Sequence, residues 1–346
     1  MNKKKLDTLI MKKSSLPCKT FILSITVFIL STYSCKNDNK KPVPTNEPPV
    51  VRLNVPAIAK DSAYAYVKAQ VDFGARVPGT PAHILCGDWI VAKCKSFGAE
   101  VIEQPFDGQT YTGIKFKARN IIASYQPAIK KRILLAAHWD TRFESDHDPD
   151  KTKQKKPVMG ADDGASGVGI LLEVARQIQL NPMPNLGIDL LFLDAEDQGS
   201  DGGTGEDDWC LGAQYWSKNK HIPGYKAKYG ILLDMVGARS PRYTKDGTSV
   251  NFAPDLVDKV WTLAQRMGYG NSFVNDHSSA ITDDHLYINK LAGIPMIDLI
   301  NRPTNEKFPA HHHTTQDVLS VIDADALKAT GQVVLAVIYR EANGEF

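Results

Sequence analysis

The chain has 346 residues, of which 42% are hydrophobic and 23% charged, as is ordinary for a globular protein of one large domain or two smaller ones. Its formal charge of +2 depends on the N-terminus, because residues 1–34 hold six Lys and one Asp and the remainder carries −3. This balance excludes a basic nucleic-acid-binding surface, so we predict no nucleic-acid partner.

The N-terminus has the features of a targeting segment. Basic residues precede a short apolar run at 21–30, which is too short to span a bilayer comfortably. A small residue directly before Cys35 resembles a loose bacterial lipobox, so we predict a signal peptide over 1–34 and lipidation of Cys35. The Lys-, Asn- and Pro-rich stretch that follows predicts a disordered tether within 35–58. A plain secretory signal and an uncleaved anchor are the alternatives.

These features predict a protein of the bacterial cell envelope. A lipid on Cys35 would hold the chain in the periplasm, with the inner face of the outer membrane as the expected location. Three other cysteines follow the signal segment, Cys86, Cys94 and Cys210, and no CxxC pair is present. We therefore predict neither a disulfide framework nor a cysteine-ligated zinc site, and we interpret these cysteines as core residues.

Helices and strands alternate through residues 59–346. The predicted helices begin near Asp61 and after Gly164 and otherwise cover 81–97, 211–218, 254–267 and 323–341. The predicted strands cover 100–104, 111–123, 132–138, 188–193, 229–236 and 294–299. Several strands are apolar throughout, which is typical of parallel sheets covered on both faces. The prediction is one α/β domain over 59–346, with a mostly parallel central sheet and helices on both faces.

Polar residues that can bind a metal follow the apolar strands. They are His138 and Asp140, Asp162 and Asp163, Asp194, Glu196 and Asp197, Asp234, then Asp283, Asp284 and His285, and finally His311, His312 and His313. In open α/β sheets the ligand site lies at the carboxyl ends of the strands, so we expect these side chains to meet there. Carboxylates and imidazoles without cysteine suit a catalytic zinc with an open position.

Five motifs follow one another along the chain: GADDGASG at 160–167, LDAED at 193–197, LLDMVGA at 232–238, TDDH at 282–285 and FPAHHHT at 308–314. Their order resembles the zinc exopeptidase family of bacterial aminopeptidases over nearly all of 59–346. Within that fold the chain looks most like the glutaminyl cyclases of the animal type and their bacterial relatives. Asp283 matters most, because the aminopeptidases commonly have Ser-Asp-His in this motif.

The resemblance implies a conversion of N-terminal glutamine of peptides to pyroglutamate with release of ammonia, catalysed by a monomer with one zinc per chain. The implied roles are zinc binding for Asp163, Asp197 and His313, proton transfer for Glu196 with Asp234 and Asp283, substrate-pocket walls for Trp209, Phe308, Trp139 and His312, and support around the ligands for His138 and Asp140. Two positions depart from the cyclase pattern. Asp197 stands where cyclases often have Glu, and His312 stands where the animal enzymes have an aromatic residue.

Two rival functions remain open at this stage. A two-zinc aminopeptidase of the same fold would use His138 for its second zinc and Glu196 to deprotonate a bound water. The other rival is a surface lipoprotein that keeps the fold only as a binding module. The presence of Glu196, Asp163 and His313 argues against a degenerate site. Metal count and reaction product distinguish the two enzymes.

Overall fold

The computed structural model describes residues 52–201 and 208–346. The predicted signal peptide, Cys35 and the tether up to residue 51 lie outside these residues. Within the described ranges no helix is both long enough and apolar enough to cross a membrane.

A six-stranded sheet forms the centre of the domain. The strands in chain order are β1 (Glu100–Gln109), β2 (Lys115–Tyr125), β3 (Arg132–His138), β4 (Gly187–Leu193), β5 (Gly230–Asp234), β6 (Tyr243–Asp246), β7 (Phe273–Ser278) and β8 (Met296–Ile300). The sheet has the order β1-β2-β4-β3-β5-β8, and β6 pairs separately with β7. Strands β4, β3, β5 and β8 run parallel, while β1 and β2 form an antiparallel hairpin at one edge.

Helices cover both faces of this sheet. They are α1 (Lys60–Asp72), α2 (Pro81–Ser96), α3 (Ala165–Leu180), α4 (Leu211–Lys218), α5 (Gly247–Phe252), α6 (Pro254–Arg266), α7 (Asp284–Tyr287) and α8 (Ala324–Ala342). Strand β3 shows the two faces directly, since Leu135 and Ala137 belong to one buried cluster and Leu134 and Ala136 to another. Side chains alternate across a strand, so the sheet separates two apolar cores. The predicted α/β fold is confirmed.

The hairpin between β1 and β2 differs from the prediction. A strand was expected from residue 111, but the chain turns at Thr110 and β2 begins only at Lys115. The Thr110 hydroxyl accepts a hydrogen bond from the backbone N–H of Ile114, and its carbonyl accepts one from Gly113, which has a φ of 88°. A local turn bonded by a threonine side chain therefore replaces the first residues of the predicted strand.

Residues 52–58 form an extended strap along helix α8, where part of the predicted tether was expected. Asn343 accepts a hydrogen bond from the Leu53 N–H at 2.9 Å and donates one to the Leu53 carbonyl at 3.0 Å. The Gln332 side chain likewise accepts a hydrogen bond from the Ile58 N–H and donates one to the Pro56 carbonyl. These amide side chains satisfy the backbone as a neighbouring strand would, so the ordered domain begins before the predicted boundary.

The first residues of the strap lie at the end of the sheet where the parallel strands start. Leu53 is bound at the C-terminal end of α8, and there Glu341 contacts Lys131 and Lys228 at 2.8 Å each. Lys131 directly precedes β3, and Lys228 lies two residues before β5. The carboxyl ends of the same strands, where the predicted site residues follow, lie at the opposite end.

A buried ion pair joins the starts of β3 and β4. The guanidinium of Arg132 donates to both oxygens of Asp189, at 2.6 and 2.7 Å. Ser124 and Tyr225 donate to the same carboxylate at 2.6 and 2.7 Å. Charge buried this deeply is stable only when every partner is present, so the pair specifies how the central strands align.

We expect Asp189→Asn to lower the free energy of unfolding by about 3–5 kcal/mol, because it leaves the buried Arg132 guanidinium without its counter-ion. Chemical denaturation of both proteins measures the difference. Asp72→Asn is the matched control, since Asp72 pairs with Lys68 on the exposed surface of α1 and should cost less than about 1 kcal/mol. Equal losses in the two variants would contradict the structural role of the buried pair.

Candidate active site

The glycine-rich motif before helix α3 brings Asp163 to the carboxyl ends of the strands. Gly164 has a φ of 88°, and a Cβ there would lie 2.8 Å from the Asp140 carbonyl oxygen, so only glycine fits. The carboxylate of Asp317 accepts hydrogen bonds from the N–H groups of Asp162 and Asp163 at 2.8 and 3.0 Å. The side chain of Asp162 turns away to accept from the N–H of Gly237 at 2.7 Å. The loop thus directs only Asp163 into the site.

The predicted metal ligands meet at one point. His313 Nε2 lies 2.9 Å from Asp197 Oδ1 and 3.6 Å from Asp163 Oδ2. His138 Nε2 lies 3.0 Å from the other oxygen of Asp163 and 3.2 Å from Asp234 Oδ1. Asp163 therefore faces a histidine with each of its two oxygens.

The donor set fits a zinc ion. Tetrahedral zinc with bonds of about 2.0–2.2 Å places neighbouring ligand atoms roughly 3.3 Å apart, close to the separations of His313 from the two carboxylates. Asp163 Oδ2 and Asp197 Oδ2 are buried without a hydrogen-bond partner in the described part of the chain. Buried carboxylate oxygens without a partner are costly, and a cation removes that cost. Ligand atoms of His138, Asp163 and Asp197 also lie within 4.8 Å of one another, so His138 is in direct contact with the cluster.

Glu196 lies beside this cluster with a proton affinity suited to acid–base chemistry. Burial raises the pKa of its carboxyl well above the usual range, and the charges of Asp197 and Asp283 raise it further. The Cys210 thiol donates a hydrogen bond to Glu196 Oε1 at 3.2 Å. Carboxyl and thiol atoms of Glu196, Asp283 and Cys210 lie within 4.8 Å of one another. The structure thus brings together Glu196 and Asp283, two of the three residues predicted for proton transfer, and adds Cys210, which sequence reasoning assigned to the core.

Asp140 aligns the segment that carries both the predicted base and a predicted ligand. Its carboxylate accepts hydrogen bonds from the backbone N–H groups of Glu196 at 3.0 Å and Asp197 at 3.3 Å. It also accepts one from the Gln198 side chain at 2.9 Å. His138 Nδ1 lies 3.6 Å from the same carboxylate. Asp140 therefore connects the end of β3 to the loop after β4.

A buried acidic network lies behind Asp283. Ligand atoms of Asp283, His285 and Asp298 lie within 4.8 Å of one another, and His285 Nε2 lies 3.4 Å from Asp246. Burial and the nearby Asp283 raise the pKa of Asp298 well above its usual range, so these two carboxyl groups can share a proton. Sequence reasoning missed Asp298, although a charged residue inside the apolar strand β8 was a visible signal.

A cavity of about 220 Å³ opens onto the cluster. Trp209, Phe308 and His312, to which the resemblance assigned a substrate pocket, line this cavity together with Ile281 and Ile300. The Trp209 ring lies parallel to the His313 ring, with centroids 5.8 Å apart. Apolar walls around a few carboxylates suit a small ligand with one polar end.

Arg142 supports the Trp209 side of the cavity and was not predicted. Its guanidinium carbon lies 4.8 Å from the centroid of the Trp209 ring. The same guanidinium donates hydrogen bonds to the backbone carbonyls of Asp197 and Gly199 at 3.0 Å each. It also binds Asp146 with two hydrogen bonds. Arg142 thus fastens the loop after β4 to the loop after β3.

The prediction that Trp139 lines the pocket is wrong. Trp139 is fully buried and stacks on His83 with ring centroids 4.2 Å apart. Successive side chains alternate around the end of β3, so His138 faces the site and Trp139 faces away from it. His83 in turn lies 2.9 Å from the carboxylate of Asp194. Asp194 is therefore occupied by structural contacts.

Strained backbone is concentrated around the cluster. Ala195, Met235 and His313 have φ values of 56°, 47° and 55°, which side-chain-bearing residues rarely adopt. Each directly follows or forms part of a site motif. Such conformations cost on the order of 1–3 kcal/mol each and persist only where the surrounding contacts fix them. The strain is consistent with a site whose geometry is under functional constraint.

Fold and site together define a zinc-exopeptidase-like α/β protein. The chain belongs to peptidase family M28, whose model matches residues 120–338. The expected resemblance is thereby confirmed at the level of the family.

Relatives within this family are similar over most of their length. The structure of Bacteroides thetaiotaomicron glutaminyl cyclase bound to N-acetylhistamine is 52% identical, with a TM-score of 0.80, over 83% of this chain and 99% of that one. A Zn-dependent exopeptidase from Parabacteroides distasonis is 50% identical over 83% and 99%, with the same TM-score. The glutaminyl-peptide cyclotransferase of Drosophila melanogaster is 27% identical over 270 residues, 72% of each chain.

We expect Asp140→Ala to weaken zinc binding by about 10- to 100-fold, because the segment that carries Asp197 loses the carboxylate that aligns its backbone. Competition with a chromogenic chelator measures the affinity. Asp150→Ala is the control, since Asp150 lies on the same loop but bonds to Thr152 at the exposed surface instead. An unchanged affinity in Asp140→Ala would contradict the aligning role.

Proposed function

We propose that the protein is a zinc-dependent glutaminyl-peptide cyclotransferase, which converts an N-terminal glutamine of a peptide or protein to pyroglutamate and releases ammonia. The observation that carries the proposal is the 52% identity to a bacterial glutaminyl cyclase over 99% of its length. The placement of Asp283 beside Glu196 in a small cavity agrees with it.

The cavity can hold the glutamine side chain and orient it toward the cluster. Trp209 and Phe308 provide apolar walls for its methylene groups, and the carboxamide then faces Glu196 and the metal ligands. Zinc bound by Asp163, Asp197 and His313 would supply Lewis-acid polarisation of the carboxamide carbonyl. Because the attacking α-amine belongs to the same glutamine, orientation in the cavity favours ring closure.

Glu196 moves the proton that the reaction must relocate. Ring closure forms a bond between the α-nitrogen and the carboxamide carbon and breaks the bond to the amide nitrogen. The Glu196 carboxylate accepts a proton from the α-nitrogen and returns it to the leaving nitrogen, which departs as ammonia. Asp283 lies near Glu196, and its charge raises the pKa of the Glu196 carboxyl.

Three further points belong to the proposal. We expect one zinc per chain, held by Asp163, Asp197 and His313, and a monomeric protein. Peptides and proteins with N-terminal glutamine are the expected substrates. We also expect a lipid anchor at Cys35 and a periplasmic location, which rest on the basic, apolar and cysteine pattern of the first 35 residues.

A two-zinc aminopeptidase is the second candidate, and one observation favours it. Asp163 faces His138 with one oxygen and His313 with the other, as a carboxylate that bridges two metals would. Asp234 lies beside His138 as a further ligand. Such an enzyme would release free amino acids instead of ammonia.

Incubation with a glutamine-initiated dipeptide amide tests the reaction. We expect ammonia release with an intact peptide bond and a pyroglutamyl product by mass spectrometry. The same peptide with N-terminal leucine is the control substrate and should remain unchanged. Free glutamine or free leucine among the products would exclude the cyclase and support the aminopeptidase.

We expect Glu196→Gln to lower kcat by on the order of 10²- to 10⁴-fold, because the amide cannot accept the proton. Zinc content should not change, since Glu196 is not among the three proposed ligands. Steady-state kinetics and elemental analysis on the same preparation measure both quantities. Turnover at the level of the unsubstituted protein would refute the role of Glu196 in proton transfer.

Zinc counting in two histidine variants distinguishes the candidates. After dialysis against metal-free buffer, we expect one zinc in the unsubstituted chain, one in His138→Ala and none in His313→Ala. Mass spectrometry of the metal with protein quantification measures the ratio. Two zinc ions in the unsubstituted chain and one in His138→Ala would support the aminopeptidase arrangement.

A further inference from the structure

The Cys210 thiol contacts the predicted base from the buried side. Its Sγ donates a hydrogen bond to Glu196 Oε1 at 3.2 Å. Glu196 lines the cavity, whereas Cys210 has no exposed surface. The cysteine packs instead in the apolar core that contains Leu193 and Trp216. The Glu196 carboxyl therefore lies between the cavity and a thiol donor in the core.

The backbone next to Cys210 holds the thiol in this place. The Cys210 N–H donates to the Glu196 carbonyl at 2.9 Å, and the N–H of Leu211 donates to the Ala195 carbonyl at 3.0 Å. These two hydrogen bonds join the start of helix α4 to the turn that carries the base. The backbone and the side chain of Cys210 consequently bind the same residue, Glu196.

Both partners of this connection have an unusual backbone. Cys210 and Ala195 each have a φ of 56°, in the left-handed region that residues with a side chain rarely adopt. Such a conformation costs on the order of 1–3 kcal/mol and persists only where surrounding contacts fix it. Gly212 supplies one such contact, because a Cβ there would lie 2.3 Å from the Asp194 carbonyl oxygen. Tight packing of α4 on the turn thus fixes the direction of the Cys210 side chain.

The Glu196 side chain needs a contact of this kind, because acidic groups lie close to it. Asp197 follows it in the chain, and side-chain atoms of Asp283 lie within 4.8 Å of those of Glu196 and Cys210. Carboxylates repel one another, so these acids alone do not hold the flexible Glu196 side chain in one orientation. A hydrogen-bond donor on the buried side favours a single orientation.

We propose that Cys210 is a positioning residue for proton transfer: its thiol binds Oε1 of Glu196 and holds the carboxyl with Oε2 toward the substrate. This role rests on the proposed function, in which Glu196 moves the proton of the substrate amine. Cys210 itself does not touch the substrate. A thiol suits this place, because it packs in a core as a small apolar group and still donates a weak hydrogen bond.

A cysteine that only filled the core would respond differently to substitution. Cys210→Ala removes the donor and keeps the site apolar, whereas Cys210→Ser keeps a donor and places a hydroxyl in the core. For a residue that only fills space, serine should be at least as harmful as alanine, because burial of a hydroxyl is costly. For a residue that donates to Glu196, serine should preserve more activity than alanine.

Steady-state kinetics with a glutamine-initiated dipeptide amide test the role. We expect Cys210→Ala to lower kcat by about tenfold or more at an unchanged KM, because the substrate binds but meets a misplaced base. Cys210→Ser should keep a kcat at least about threefold above that of Cys210→Ala, since its hydroxyl donates although it reaches less far. Cys94→Ala is the matched control and should leave kcat unchanged, because Cys94 is buried in the other core, on α2.

Infrared spectroscopy of the zinc-loaded protein tests the hydrogen bond without turnover. The S–H stretching band that disappears in Cys210→Ala belongs to Cys210, and the band that disappears in Cys94→Ala belongs to Cys94. We expect Glu196→Ala to move the Cys210 band to higher frequency, because the thiol loses its acceptor, and to leave the Cys94 band in place.

Three results would overturn the proposal. They are an equal kcat in Cys210→Ala and the unsubstituted protein, a kcat in Cys210→Ser no higher than in Cys210→Ala, and a Cys210 band that does not move in Glu196→Ala. A protein that leaves the glutamine peptide unchanged would refute the proposed function. The infrared bands would still decide whether the thiol binds Glu196, so the two failures can be told apart.

Discussion

The carboxylate of Asp163 is the point on which the site depends. One of its oxygens faces His138 and the other faces His313, while Asp317 binds the backbone N–H of the same residue. Asp197 and Asp234 approach from the next two strand ends. So many carboxylates without cations would repel one another strongly in a buried space. A bound metal and shared protons would satisfy this constraint together, which explains why imidazoles, carboxyl groups with raised pKa values and metal ligands occur side by side.

Most of the fold could be predicted from the sequence because the continuous apolar runs coincide with the parallel strands of the structure. Helix α4 has the predicted bounds, and β3 and β4 differ from them by at most one residue. The start of β2 was predicted less accurately, because the turn between β1 and β2 depends on a threonine hydroxyl and not on the apolar pattern. The separate pair of β6 and β7 was missed, because these short strands are not continuously apolar.

Most candidate site residues were predicted from their motifs, but side-chain direction was not. Trp139 directly follows a site residue and nevertheless packs into the core. The tripeptide Ile-Asp-Leu occurs in both β4 and β8, yet Asp189 forms a structural pair with Arg132 while Asp298 joins the acidic network. Nothing local distinguishes these two acids. The difference arises from partners that are distant in sequence, and Arg142 was missed for the same reason.

The strap over residues 52–58 has a consequence for how the chain meets its surroundings. Leu53 of the strap is bound at the end of the domain where the parallel strands start, and the cavity opens at the end where these strands finish. A support that held the protein at residue 52 would therefore face the side of the domain opposite the cavity, and the mouth of the cavity would stay open to solvent for large and small ligands alike.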